Sequence, residues 1–198
     1  MLRRATPASA SGSPLALGIA RRDRPSKVSV DSKQYETSMI ETHEGGCLCG
    51  NVRFRTKGQP LRTLVCHCTF CQRFTGSSYN VESMFPEEAV EFSGVPMSRY
   101  IHPTENGSRQ AHINFCGNCG TTVSLTFDRS PGIRCISRGT FDEPNWVSVT
   151  ANIWTRSAQS GVALPANIDC YRFGRIALDG SLQPAQRFDH PVMAVADA

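Results

Sequence analysis

Apolar and polar residues alternate along much of this chain with the period of two that a half-buried strand requires. Val52, Phe54 and Thr56 alternate with Arg53, Arg55 and Lys57, so one face is turned to a core and the other to water. Residues 97–101 and 109–115 flank a polar stretch containing Asn106-Gly107, a pair suited to the positive φ angles of a tight hairpin turn. Residues 122–127 and 133–137 flank Arg129-Ser130-Pro131-Gly132, which reads as a second turn. Val147, Val149, Ala151 and Ile153 share one face of a further strand over 147–154. Helical signal is confined to Pro86-Glu87-Glu88-Ala89-Val90, where an early proline and two acids suit the first turn of a short helix. The pattern predicts a mainly β fold with few short helices.

The periodicity begins near Met39 and fades after Arg175. Residues 1–38 are rich in Ser, Ala, Pro and Arg without apolar period and read as a disordered basic tail. The domain is expected over 39–175, with 176–198 as a C-terminal extension. The first 22 residues hold four arginines and no acid, a composition shared with mitochondrial transit peptides. A start at Met39 is a second reading of the same feature. No run approaches the roughly 20 apolar residues that span a bilayer, so the chain is expected to be soluble and cytoplasmic, with mitochondrial as the alternative.

Charge changes the picture only in its location. The chain carries a formal +4, and residues 1–38 account for all of it, with seven Lys or Arg against three acids. The remainder is balanced, so the domain has no cationic surplus for a phosphate backbone and no nucleic-acid partner is expected.

Nine cysteines are many for 198 residues. Seven of them, Cys47, Cys49, Cys66, Cys68, Cys71, Cys116 and Cys119, fall in Cys-x-Cys and Cys-x-x-Cys spacings. Neighbours that close pair poorly as disulfides and suit a metal well. Zinc takes four tetrahedral ligands, and a Cys-x-x-Cys turn followed by glycine aims backbone N–H groups at the sulfurs. Seven thiolates fill one site of four and leave three. Three protein ligands with an open position is the arrangement of a catalytic zinc, four that of a structural one. Cys66, Cys68 and Cys71 are complete within one loop and form the natural open site; Cys47, Cys49, Cys116 and Cys119 then clasp distant parts of the chain around a structural zinc. A fourth ligand for the triple, closing it, remains available in His67, His43, Cys135 or Cys170. The bland readings are that Cys135 and Cys170 are buried thiols, that His43, His102, His112 and His190 are surface or hydrogen-bonded, and that Trp146 and Trp154 belong to the core.

Four segments in order carry a resemblance. They are Gly45-Gly46-Cys47-Leu48-Cys49-Gly50-Asn51-Val52-Arg53-Phe54, Cys66-His67-Cys68-Thr69-Phe70-Cys71-Gln72-Arg73, Phe115-Cys116-Gly117-Asn118-Cys119-Gly120-Thr121 and Gly139-Thr140-Phe141-Asp142-Glu143-Pro144. Over about 41–171 the chain resembles the glutathione-dependent formaldehyde-activating enzyme family, which also includes centromere protein V. The resemblance implies zinc-clasped antiparallel β-sheets of the β-tent type and two zinc ions per chain. It implies a structural zinc on Cys47, Cys49, Cys116 and Cys119 and a more labile, catalytic one on Cys66, Cys68 and Cys71. For the type enzyme it implies condensation of formaldehyde with glutathione to S-hydroxymethylglutathione, formally a carbon–sulfur lyase in reverse. The chain departs from the family pattern at 157–164, where a tryptophan is usual, and at Phe74-Thr75, where small serines are.

Three functional readings follow. The first is a zinc-dependent carbon–sulfur lyase acting on a small thiol adduct such as a glutathione conjugate. The alternative is a non-enzymatic interaction module like centromere protein V, using the basic tail; a redox sensor built on the triple is a third. The three-ligand count favours the enzyme. No Glu or His stands out as a proton carrier, and the catalytic residues beyond the metal ligands are unassigned.

Overall fold

The alternation at residues 52–57 becomes a strand whose Val52, Phe54 and Thr56 are buried. In the computed structural model, residues 41–103, 110–177 and 179–195 are described; the basic segment 1–38, Met39 and the Asn106-Gly107 turn lie outside them. The strands, in chain order, are β1 (Thr42–Gly46), β2 (Val52–Lys57), β3 (Arg62–Cys66), β4 (Asn80–Pro86), β5 (Val90–Gly94), β6 (Ser98–Pro103) and β7 (Gln110–Phe115). They continue with β8 (Thr122–Phe127), β9 (Ile133–Ser137), β10 (Ala151–Ile153), β11 (Ala163–Leu164), β12 (Asp169–Cys170) and β13 (Val192–Met193). The helix α1 (Thr69–Thr75) follows β3.

Three sheets result: β1-β2-β5, an eight-stranded sheet β12-β10-β3-β4-β9-β8-β7-β6, and the pair β11-β13. Most pairings are antiparallel, as expected, but β10 runs parallel to both β3 and β12. The chain between β9 and β10 crosses over through two 3-10 turns, Arg138–Thr140 and Pro144–Trp146, instead of turning back as a hairpin.

Successive residues of a strand point to opposite faces, and this divides the large sheet. Phe85, Val123 and Ile136 face the small sheet and pack with Val52, Phe54, Val90, Phe141 and Val147. Met84 and Cys135 face the other way, as does Leu125 because a bulge in β8 at Val123, opposite Asn114 and Phe115, shifts the alternation, and Phe70 and Phe74 of α1 cover them. Phe74, one of the departures from the family pattern, is thus a packing residue. Phe85, Leu125 and Ile136 are completely buried, each worth about 1.5–3 kcal/mol of burial. Trp146 and Trp154 pack against the apolar clusters on either side of the sheet, as the sequence suggested.

Several local expectations are corrected. The helix expected at Pro86–Val90 is a single 3-10 turn, Glu87–Ala89. Five residues are too few to nucleate a helix, and Val90 is drawn into β5 opposite Thr56. The strand expected over 147–154 forms only at Ala151–Ile153; residues 147–150 are irregular, and Trp154, left-handed at φ 59°, ends it. The hairpin flanks are as expected, with Ser98 opposite Phe115 and Pro103 opposite Gln110. The C-terminal extension is irregular but anchored: β13 pairs with β11, and Ala194 packs with Ala158, Leu164 and Cys170. Among the described residues no helix is long and apolar enough to cross a membrane.

Candidate metal centre

Seven thiols expected at metal sites gather into two groups. In the first, the sulfurs of Cys47, Cys49, Cys116 and Cys119 all lie within 4.8 Å of one another. Two similar turns deliver them, one between β1 and β2 and the other between β7 and β8. In each turn the glycine after the second cysteine donates its N–H to the carbonyl of the first, Gly50 to Cys47 at 3.0 Å and Gly120 to Cys116 at 2.9 Å. Gly50 and Gly120 hold φ angles of 78° and 74°, a region that glycine enters without Cβ strain. The Val52 N–H reaches Cys47 Sγ at 3.2 Å. Thr121 joins the two turns: its Oγ1 accepts from the Leu48 N–H at 3.1 Å and lies 3.2 Å from Cys119 Sγ. That hydroxyl contact is the first cause holding Cys119 down to about 5. Burial would raise Cys47, but the Val52 N–H and the neighbouring thiols outweigh it and the net direction is down. Cys116 receives the Cys119 and Asn118 N–H groups, yet burial and the adjacent thiols push it up to about 11.

The second group is Cys66, Cys68 and Cys71, again within 4.8 Å. Cys66 ends β3, Cys68 caps α1 with its sulfur 3.4 Å from the Cys71 N–H, and Cys71 is buried in the first turn. Cys66 and Cys71 are buried and Cys68 is half-buried. The thiols of Cys66 and Cys71 bring Cys68 down to about 3; contact with Cys68, and burial, drive Cys66 upward although Cys71 pulls it down, and contact with both neighbours drives Cys71 upward. Three sulfurs this close cannot all ionise unless a cation offsets the repulsion.

None of the suggested fourth ligands joins the triple. The His67 side chain turns away, with Nε2 3.1 Å from Asn152 Oδ1. His43 stacks on Trp146 with ring centroids 3.4 Å apart. Cys135 sits in the apolar layer with Ile113 and Leu125, and Cys170 packs with Ala158 and Leu164. His112 and His190 face Asp128 and Asp189, and His102 lies 4.9 Å from the Phe70 ring. Among the described residues, the second group ends at three.

The donor chemistry and spacing fit zinc. Adjacent sulfurs stand 3.5 Å apart for Cys47 and Cys49, 3.7 Å for Cys49 and Cys116, and 3.5 Å for Cys66 and Cys68. A tetrahedral ion with bonds of about 2.3 Å separates its sulfurs by roughly 3.8 Å, whereas a disulfide needs about 2.05 Å. All described cysteines are free thiols.

One group was not legible as functional. Glu82 is 5 % exposed in the middle of β4, opposite Leu64 and Ser137. It shares the helix-covered face with Leu64 and Cys66, because Asn80, its neighbour on that face, pairs with Cys66. Burial pushes its carboxyl up to about 7, the Arg129 charge pulls it down, and the Cys68 charge pushes it further up. Asn80 Nδ2 approaches at 3.4 Å, and the buried Ser137 hydroxyl beside it has no partner. An acid in a strand normally marks a solvent-facing position, so sequence carried no signal for it.

Residues 42–157, more than half of the chain, match the family described as glutathione-dependent formaldehyde-activating enzyme. A crystal structure of a Rhodobacter sphaeroides protein is similar at 17% identity and a TM-score of 0.42, covering 54% of this chain and 96% of that one.

Proposed function

We propose that this chain, which belongs to the glutathione-dependent formaldehyde-activating enzyme family, is a zinc-dependent carbon–sulfur lyase whose small thiol is glutathione. The observation that supports it most is the difference in donor count: four sulfurs converge in one group and three in the other. Cys47, Cys49, Cys116 and Cys119 would hold a structural zinc, and Cys66, Cys68 and Cys71 a second one with a position left for a substrate sulfur. A zinc bound there supplies the positive charge that keeps a coordinated thiol deprotonated.

The chain's own residues then have defined tasks. Cys66 and Cys71 anchor the site between β3 and α1, and half-buried Cys68 leaves a side open. Phe70 and Phe74 close the apolar layer beneath and keep water out. In the synthetic direction the glutathione sulfur forms a bond to the formaldehyde carbon, and the carbonyl π electrons become a hydroxyl by taking a proton. The thiol proton is lost and one proton is gained at oxygen, so the step balances without another reagent. Glu82, whose carboxyl is pushed up to about 7 by burial on the face that carries Cys66, is the residue that accepts the first proton and returns the second. Catalytic acids and bases work best near the operating pH.

The test follows exchange between glutathione and S-hydroxymethylglutathione by NMR with 13C-formaldehyde. Wild-type protein accelerates exchange above the uncatalysed rate, Cys68→Ala abolishes the acceleration, and Glu82→Gln lowers it about 10²-fold or more. A wild-type protein that holds zinc, binds no glutathione and leaves the exchange rate unchanged refutes this reading.

A further inference from the structure

We propose that a cavity lined by Arg62 and Arg175, which shares Leu64, Ala151 and Tyr171 with the apolar cluster around the three-cysteine group, receives a carboxylate of the thiol substrate. This rests on the thiol-binding reading above and extends it to the part of the ligand remote from sulfur. The cavity has a volume of about 270 Å³, and its lining includes Arg62, Leu64, Ala151, Asp169, Tyr171 and Arg175.

Position links the cavity to the cysteines. Arg62, Leu64 and Cys66 alternate along β3 and therefore share one face. Leu64, Ala151 and Tyr171 belong both to the cavity wall and to the apolar cluster that contains Cys66 and Cys71. Arg62 stands four residues from Cys66 on β3, roughly 13 Å at about 3.3 Å per residue. Two residues of extended peptide reach about 7 Å, and the long arginine side chain covers the remainder. A ligand with its sulfur at Cys66 and a carboxylate on the residue next to its cysteine, a two-residue unit, therefore spans the distance.

Charge selects the ligand. Asp169 is the acid of the lining, and its first partner is Arg187. Arg175 lies near enough to add to the lowering of Asp169, but neither Arg62 nor Arg175 makes an ion pair among the described residues. The lining thus holds two guanidiniums and one carboxylate that Arg187 already engages from outside it, leaving a cationic surplus. Arginine favours planar two-pronged recognition of carboxylates. Glutathione carries a carboxylate at each end, and a thiol without one leaves both arginines unmatched.

The experiment measures calorimetric binding of three probes to the zinc-loaded full chain: glutathione, its glycyl monoethyl ester and N-acetylcysteamine. Each is titrated into wild type, Arg62→Gln and Arg175→Gln, with zinc content and melting temperature checked for every protein. Arg175 lies outside every strand, so its variant keeps the test alive if Arg62→Gln disturbs β3. Wild type is expected to bind glutathione about 10- to 100-fold more tightly than N-acetylcysteamine, and each variant to lose most of that preference while its affinity for N-acetylcysteamine is unchanged. The monoethyl ester tells which end is read: a loss like that of the variants assigns the glycyl carboxylate, and full affinity with the variants still weakened assigns the γ-glutamyl one. Equal binding of glutathione and N-acetylcysteamine by wild type, or a preference retained in both variants, overturns the inference and leaves the thiol reading standing. Failure of every thiol to bind overturns both.

Discussion

The two cysteine groups occupy opposite faces of one sheet and are built in different ways. The four-sulfur group packs with Phe85, Val123 and Ile136 in the core beneath the small sheet. Its ligands come from turns about seventy residues apart, each turn closed by a glycine N–H and joined to the other through Thr121. The three-sulfur group lies on the other face, complete within one short strand end and the first turn of α1. A zinc held by the first group would fasten β1 and β2 to β7 and β8; one held by the second would secure only a single seven-residue helix. A site that ties distant segments together contributes to folding, while a local one can gain and lose a ligand with the scaffold intact.

The largest effect that would break this contrast is at Cys116, fully buried in the first group. Cys116→Ala should deprive the fold of a metal worth on the order of 10 kcal/mol, leaving protein that is unfolded or melts far below wild type by circular dichroism. Cys68→Ala should lose the second metal but keep its β spectrum and melt within a few degrees of wild type. Equal losses in the two variants would remove the distinction between the groups.

Glu82 sharpens the comparison from the helix-covered side. Its carboxyl is raised from 4.5 to about 7, so between those values the folded chain holds a proton that the unfolded chain releases. Stability contributed by the protonated form is complete below pH 4.5 and falls as pH rises through 7, by at most about 1.4 kcal/mol per pH unit. Denaturant titrations should show this decline between pH 5 and 7 in wild type, and a flatter profile in Glu82→Gln. The smallest expected change is on the opposite side, where Arg53 grips Asp142 with both guanidinium nitrogens at the surface. Asp142→Asn should cost about 1 kcal/mol or less, read as a small shift in the urea midpoint.

What was legible in the sequence was local. Cys47, Cys49, Cys116 and Cys119 announce themselves by spacing and by the following glycine, the strand at 52–57 by period-two alternation, and those at 109–115 and 122–127 by the turns they flank. The helix α1 was hidden because Thr69, Phe70, Phe74 and Thr75 have weak helix propensity; it forms because Cys68 caps it and its two phenylalanines pack onto Leu125 and Cys135. β4 was hidden because both its faces are covered, so Asn80, Glu82, Ser83 and Phe85 are all buried and no alternation shows. The parallel placement of β10 beside β3 and the pairing of β2 with β5 depend on contacts distant in sequence. Glu82, proposed above as the proton carrier, was concealed for the same reason as its strand.

Metal release distinguishes the two groups most directly. Zinc leaving the purified full chain is followed with a chromogenic chelator while circular dichroism is recorded on the same sample. The account predicts close to two zinc ions per chain: one leaves early with the β spectrum unchanged and is absent from Cys66→Ala, and the other leaves only as the fold is lost. A single phase of release accompanied throughout by unfolding, or one zinc per chain in wild type, would contradict it.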